Sequence, residues 1–294
     1  MVDLVTINSY ISNSNMKRFI SIICLYLLAL LLVTLPPEIY KIVTDSSYGN
    51  AAGGEVRAAV KVSKTKFNKK IKKLIMGDST GHALYPSENQ YDSIASMACN
   101  QAITFAGQYF LLKNYLENNK DNLPQEIIFL ATPESFGNDV DIFAYQYFLK
   151  PFPILEYKPL YSEHLYSRIK SIPFYWTANL PFIQTSGYTP REAIPAYTKR
   201  IHLSELTYEY LVLMDEIAQE YNVSFHMLST PVRDDRQQEI ELVLQDLKTI
   251  GSNRLSHLLE PYIKSISYYP SNLFFDQVHL EDTATPEDYL GILN

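Results

Sequence analysis

"KLIMGDSTGHALYP", residues 73–86, runs from an apolar stretch through Gly77-Asp78-Ser79 into a pattern that begins a helix. The apolar run is short and bounded by a turn residue, which fits a strand buried on both faces of a parallel sheet. Gly77 permits a tight turn that a Cβ would obstruct. A helix starting near Ser79 or Thr80 points its first N–H groups toward the serine oxygen, and its dipole favours negative charge there. Serine in that place has two readings. It is either an ordinary helix N-cap or a nucleophile whose own N–H is one oxyanion donor. A nucleophilic serine requires a base.

A second fragment, "LFFDQVHL" at 273–280, offers that base. Asp276 and His279 are close enough for one loop to carry both. His279 can then reach the serine while Asp276 accepts from its other nitrogen and holds the tautomer. His82 lies near Ser79 in sequence and is a weak rival as base at the site rim. His164, His202, His226 and His257, like His82, lack an acidic partner in such a turn. His226 falls in an apolar run and reads as a core histidine. No His/Cys/Asp/Glu grouping has convincing metal-ligand spacing, so neither metal nor cofactor is expected.

Around these fragments the pattern alternates. Strands are predicted at 71–76, 93–98, 126–131 and 223–229, with a weaker one at 263–267. Helices are predicted at 103–118, 203–221 and 235–250. Such alternation implies βαβ units and a mostly parallel sheet. Residues 143–188 break the rhythm, being dense in aromatics, holding Trp176, and punctuated by Pro151, Pro153, Pro159, Pro173 and Pro181. That stretch reads as a packed insertion capping the sheet, as an aromatic lid over a sugar ring or acyl chain, or as a surface resting on a membrane.

Lys17-Arg18 precede "FISIICLYLLALLLVTL" (19–35), an uncharged run at the short end for a membrane-spanning helix. A cleaved signal peptide is the rival, but no small-x-small site follows closely. The expected organisation is a cytoplasmic segment 1–18, an anchor 19–35, a linker 36–69, and one domain at 70–294 with an insertion about 143–200. Residues 45–56 read as a flexible tether. The lysine-rich stretch 61–73 reads as a solvated lead-in to the first strand, or else as a contact for anionic headgroups. A net charge of −7 argues against a nucleic-acid partner. Two cysteines exclude a disulfide framework.

Gly77-Asp78-Ser79 after the first strand, with Asp276-Gln277-Val278-His279 near the C-terminus, resembles the first and last blocks of the SGNH (GDSL-type) hydrolases. The resemblance covers roughly residues 70–290. It implies a flavodoxin-like three-layer α/β/α sandwich with Ser79 as nucleophile, His279 as general base and Asp276 as orienting carboxylate. "GDSTG" also fits the nucleophile elbow of α/β-hydrolases, but there the serine follows several strands, and acid and base sit on separate loops. The family's second block supplies a glycine N–H to the oxyanion hole; the matching stretch here, "MACNQAIT", has Asn100 instead, whose backbone N–H or side-chain amide would serve. The third block is missing directly after its strand, where Thr132-Pro133-Glu134-Ser135 stands, and Asn138 comes several residues late. Ser79, Asn100 and Asn138 are therefore the oxyanion donors the resemblance implies.

The expected function is a membrane-anchored serine esterase or O-acyl(acetyl)transferase acting on acylated cell-surface polysaccharide outside the cytoplasmic membrane. A membrane acyltransferase is the protein partner such a reading admits. The alternative is a non-catalytic surface module that binds glycan or a partner through the same cleft.

Overall fold

The computed structural model describes residues 4–34, 53–89, 91–140, 145–179, 203–250 and 254–281. The chain divides into two compact units, residues 1–47 with 180–184 and residues 48–179 with 185–294. In the first, helix α1 spans Leu4–Thr34. Its side chains are described from 15 to 30, and all of these are exposed. Residue 35, the last of the expected anchor, lies outside the described residues. Among the described residues no helix is long and apolar enough to cross a membrane.

The second unit is built on four parallel strands. These are β1 (Lys73–Gly77), β2 (Ile94–Ser96), β3 (Glu126–Ala131) and β4 (Ser224–Ser229), in the spatial order β2-β1-β3-β4. All three pairings are parallel, with Lys73 opposite both Ile94 and Glu126, and Glu126 opposite Ser224. The interior strands β1 and β3 are apolar on both faces, as a parallel sheet covered on both sides requires. Leu74, Met76, Ile127 and Phe129 enter the main core, whereas Ile75, Ile128 and Leu130 join a much smaller cluster with Tyr85 and Ala98. The layers are thus unequal, one thick and one thin.

The thick layer holds α4 (Thr104–Asn118) and α8 (Glu205–Glu220), the long crossover helices predicted from the sequence. The edge strand β4 alternates. Phe225 and Met227 are buried, while Ser224 and His226 are exposed. His226 is therefore not a core histidine. A period-two pattern on an edge strand sends it to the thinly covered face.

Two further expectations change. The segment taken as linker contributes helix α2 (Gly53–Lys64), which buries Val56, Ala59 and Ser63 against the domain. Their spacing puts them on one helical face. The lysines that follow are partly committed to local ion pairs, Lys64 with Glu156 and Lys66 with Asp121. The helix predicted at 235–250 is α9 (Gln237–Ile250), but residues 263–267 are no strand: they close helix α10 (Ser256–Ser265) and lead into Tyr268–Tyr269, which pairs in parallel with Val232–Arg233.

The aromatic stretch is mostly packing. Short helices α5 (Tyr145–Leu149) and α6 (Ile154–Tyr157), with the turn between them, bring Phe148, Tyr157 and Phe152 around Phe110 of α4, with ring centroids 5.3–5.8 Å apart, and α7 (Glu163–Ser171) follows. Phe174 and Trp176 remain exposed. Residues 143–144 and 180–200 of the expected insertion lie outside the described residues.

Candidate active site

From β1 the chain steps to β2 on one side and to β3 on the other. Loops leaving the C-terminal ends of β1 and β3 therefore diverge, which is where open α/β sheets form ligand crevices. Ser79 lies at that point. Gly77 has φ +142°, and a Cβ there would meet the Leu130 carbonyl oxygen at 1.8 Å, so only glycine lets β1 leave the sheet this close to β3.

Helix α3 (Ser79–Leu84) follows immediately, and its N-cap is Asp78. One Asp78 oxygen accepts from the Thr80 N–H at 2.9 Å, the Gly81 N–H at 3.3 Å and the Thr80 hydroxyl at 2.5 Å. The other accepts from the Thr132 N–H at 2.9 Å and the Ser135 hydroxyl at 2.5 Å. The buried carboxylate is thus saturated, and it fastens the Ser79 turn to the loop after β3. Ser79 is not the cap. It occupies the first helical position, where the N–H has no intrahelical acceptor.

The loop that carries Asp276 and His279 begins after Tyr269 with a single turn at Ser271–Leu273 and closes through an antiparallel bridge between Phe274 and Leu280. Asp276 Oδ1 accepts from the N–H groups of Val278 (2.8 Å) and His279 (2.7 Å), which curls the loop back on itself. Asp276 Oδ2 lies 2.7 Å from His279 Nδ1, and His279 Nε2 lies 2.9 Å from Ser79 Oγ. Two ends of the chain separated by 200 positions therefore meet in one hydrogen-bonded row.

The charge state follows from the same contacts. Burial works to raise the Asp276 pKa, but the two backbone N–H groups and the imidazole outweigh it and hold the carboxyl below its ordinary value. An ionised carboxylate only accepts, so His279 Nδ1 carries a proton, and in the neutral imidazole the Nε2 lone pair faces the Ser79 hydroxyl. The Phe275 ring lies against the imidazole, centroids 5.4 Å apart and planes 17° apart, with its own surface largely exposed.

His82 sits at the rim in a different company. Its Nε2 is 2.7 Å from Glu88, and its Nδ1 is 3.5 Å from Glu55. Burial pushes the Glu55 carboxyl up, and the nearby His82 only partly offsets this. Glu55 comes from the first turn of α2 and was hidden in the expected linker. The apolar spacing of that helix was the available signal.

The two asparagines are already engaged. Asn100 Oδ1 caps the turn at Ala102 (2.9 Å), and its Nδ2 donates to Glu55 at 3.3 Å. Asn138 Nδ2 donates to Gln101 Oε1 at 3.1 Å, and its carbonyl accepts from the Ser204 hydroxyl at 2.8 Å. Among the described residues neither side chain hydrogen-bonds to the Ser79–His279 row, and no group of His, Cys, Asp or Glu is arranged to hold a metal ion. Glu134, of the replaced third block, pairs with the buried Arg236.

Arg233, also unforeseen, donates from Nη1 to the Asp276 carbonyl at 2.9 Å and is held on its other side by Asp235. No protein-family model, no curated protein and no solved structure matches the chain.

Proposed function

We propose that the chain is a serine acyl-ester enzyme of SGNH type. It would be an esterase or O-acyltransferase acting on acylated cell-surface polysaccharide, held by residues 19–35 to a membrane with its α/β unit on the extracytoplasmic side. The observation that carries the reading is the Ser79–His279–Asp276 row, with its 2.9 and 2.7 Å contacts. The strand order 2-1-3-4 supports it as well, being the first four strands of the flavodoxin-like order.

In this reading Ser79 Oγ attacks the acyl carbonyl carbon and passes its proton to His279 Nε2. Asp276 stabilises the imidazolium that results. The oxyanion forms against the Ser79 N–H at the start of α3, where the helix dipole also favours negative charge. The leaving alkoxide takes the proton from His279, and acyl-Ser79 remains. Water or a sugar hydroxyl then gives its proton to His279 and attacks the acyl carbonyl; the C–Oγ bond breaks, and His279 returns the proton to Ser79 Oγ. A membrane acyltransferase that delivers the acyl group is the protein partner in this scheme.

The engaged side chains of Asn100 and Asn138 favour a second reading, a non-catalytic glycan-binding module of the same fold. Full-length protein treated with a fluorophosphonate probe and with p-nitrophenyl acetate separates the two. The enzyme reading expects covalent labelling and nitrophenol release that Ser79→Ala abolishes. Equal behaviour of wild type and Ser79→Ala removes Ser79 from the mechanism. Retention of the full chain in the membrane pellet after alkaline carbonate extraction tests the anchor, and its release to the supernatant would sink it.

A further inference from the structure

Among the described residues, the hydrogen bonds of the loop at 270–281 run mainly within it; apart from His279 to Ser79, those to the rest of the domain go to Arg233 and Asp234, while Val278 and Leu280 lie beside Thr80, Ala83, Leu84, Thr230 and Pro231. Val232 and Arg233 pair in parallel with Tyr268 and Tyr269, just before the loop begins. Asp234 Oδ1 accepts from the Ser271 N–H at 3.1 Å, at the loop's first turn. Arg233 Nη1 donates to the Asp276 carbonyl at 2.9 Å, at its centre, while Asp235 grips the rest of the guanidinium. Three residues on, the buried Arg236 pairs with Glu134 in the loop after β3. That same loop holds Asp78, the neighbour of the nucleophile, through the Thr132 N–H and the Ser135 hydroxyl.

These contacts close a ring. It runs from Ser79 through Asp78 to the β3 loop, through Glu134 and Arg236 to residues 232–236, and through Arg233 and Asp276 to His279 and back to Ser79. We infer that Arg233 is the positioning residue of the triad: by holding the Asp276 carbonyl it sets the distance between the imidazole and the Ser79 hydroxyl. The inference rests on the reading of Ser79, His279 and Asp276 as a catalytic row. A planar guanidinium suits this task because one edge can hold a carbonyl while another is clamped by a carboxylate. Arg233 does not touch the reacting atoms, so it acts only through the loop.

The test uses full-length protein in detergent and the variants Arg233→Ala, Arg233→Lys and His279→Ala. The first readout is the low-field proton signal of His279 Nδ1–H in its bond to Asp276, assigned by its loss in His279→Ala. The second is the rate of Ser79 labelling by the fluorophosphonate. A displacement of about 1 Å costs on the order of 10²-fold in reactivity. Arg233→Ala is therefore expected to lose or broaden the signal and to label about 10²-fold more slowly, with its thermal midpoint little changed. Arg233→Lys, which still offers one donor, recovers part of both. If Arg233→Ala keeps the wild-type signal, the inference is overturned, whatever the labelling rate. If wild type shows the signal, loses it in Arg233→Ala, and is not labelled at all, the positioning role stands and the enzyme reading fails.

Discussion

Replacing Gly77 by alanine puts the nucleophile turn under the most direct test. The added Cβ would lie 1.8 Å from the Leu130 carbonyl oxygen, whereas Cβ contacts under 3.0 Å essentially never occur. The opposing atom is backbone in a central strand, not the end of a flexible side chain. The residue also sits at φ +142°, where an L side chain is strained, at a cost of about 1–3 kcal/mol. Forcing a methyl into packed surroundings adds about 1–3 kcal/mol. Together these give roughly 4 kcal/mol, and at a urea slope of about 2 kcal/mol per molar the unfolding midpoint falls by about 2 M. Relieving the clash must part β1 from β3 by about 1 Å, and Ser79 lies two residues on, so acylation should slow about 10²-fold. Gly54→Ala is the control, since nothing lies within 4 Å of its added Cβ. Urea unfolding followed by circular dichroism, with fluorophosphonate labelling alongside, reads both effects. If Gly77→Ala unfolds within about 0.3 M of wild type, the close approach of β1 to β3 is not what makes glycine necessary.

Asp78→Asn should cost about 2–4 kcal/mol in urea unfolding, because an amide cannot accept on both sides and leaves donors such as the buried Thr132 N–H without a partner; a change below about 0.5 kcal/mol would contradict that accounting. Asp276→Asn should reduce ester hydrolysis about 10⁴-fold by losing the tautomer that aims Nε2 at Ser79, and near-wild-type turnover would remove Asp276 from the row. The folded Asp276 pKa is depressed, so its contribution to stability is present above the ordinary aspartate value of about 3.9 and is lost as pH falls through the folded value. The thermal-midpoint gap between wild type and Asp276→Asn should therefore narrow from pH 7 to pH 3, and a constant gap refutes it. Glu55 shifts the other way: burial raises its pKa, so wild-type stability is full below 4.5 and declines as pH rises through the folded value. Glu55→Gln should gain thermal midpoint over wild type between pH 4.5 and pH 8, and the absence of any gain argues that the carboxylate is well solvated.

The central sheet was legible because burial on both faces leaves a plain trace. "LIM" and "IIFLA" are uninterrupted apolar runs, and no amphipathic alternative competes with them. His226 was misread for a related reason. Phe225, Met227 and Leu228 make its run look apolar throughout, but the position of a strand in the sheet is not written in the strand. An edge location and a thin covering layer turn the period-two alternation outward. Helix α2 was missed because Gly53, Gly54 and its lysines mimic a tether, while only Val56, Ala59 and Ser63 mark its buried face.

The same distinction runs through the site. The acid–base half could be read because its geometry is local: Asp276 binds the N–H groups of residues two and three positions on, so the spacing in "DQVH" already contains the turn. The nucleophile half could be read because a strand, a glycine and a helix start are consecutive in the chain. What joins the halves is long-range and polar. Arg233 reaches Asp276, Arg236 reaches Glu134, and Asn100 reaches Glu55 across separations of 43, 102 and 45 residues. Such pairs leave no periodicity, and each residue looks like ordinary surface charge until the fold brings its partner. The asparagines expected as oxyanion donors fall on that illegible side, and their amides are held by Glu55 and Gln101. The Ser79–His279–Asp276 row is thus marked by short-range spacing, and its setting is fixed by distant polar contacts. A chain can therefore display the three residues of such a row in its sequence while the contacts that hold them in place stay hidden.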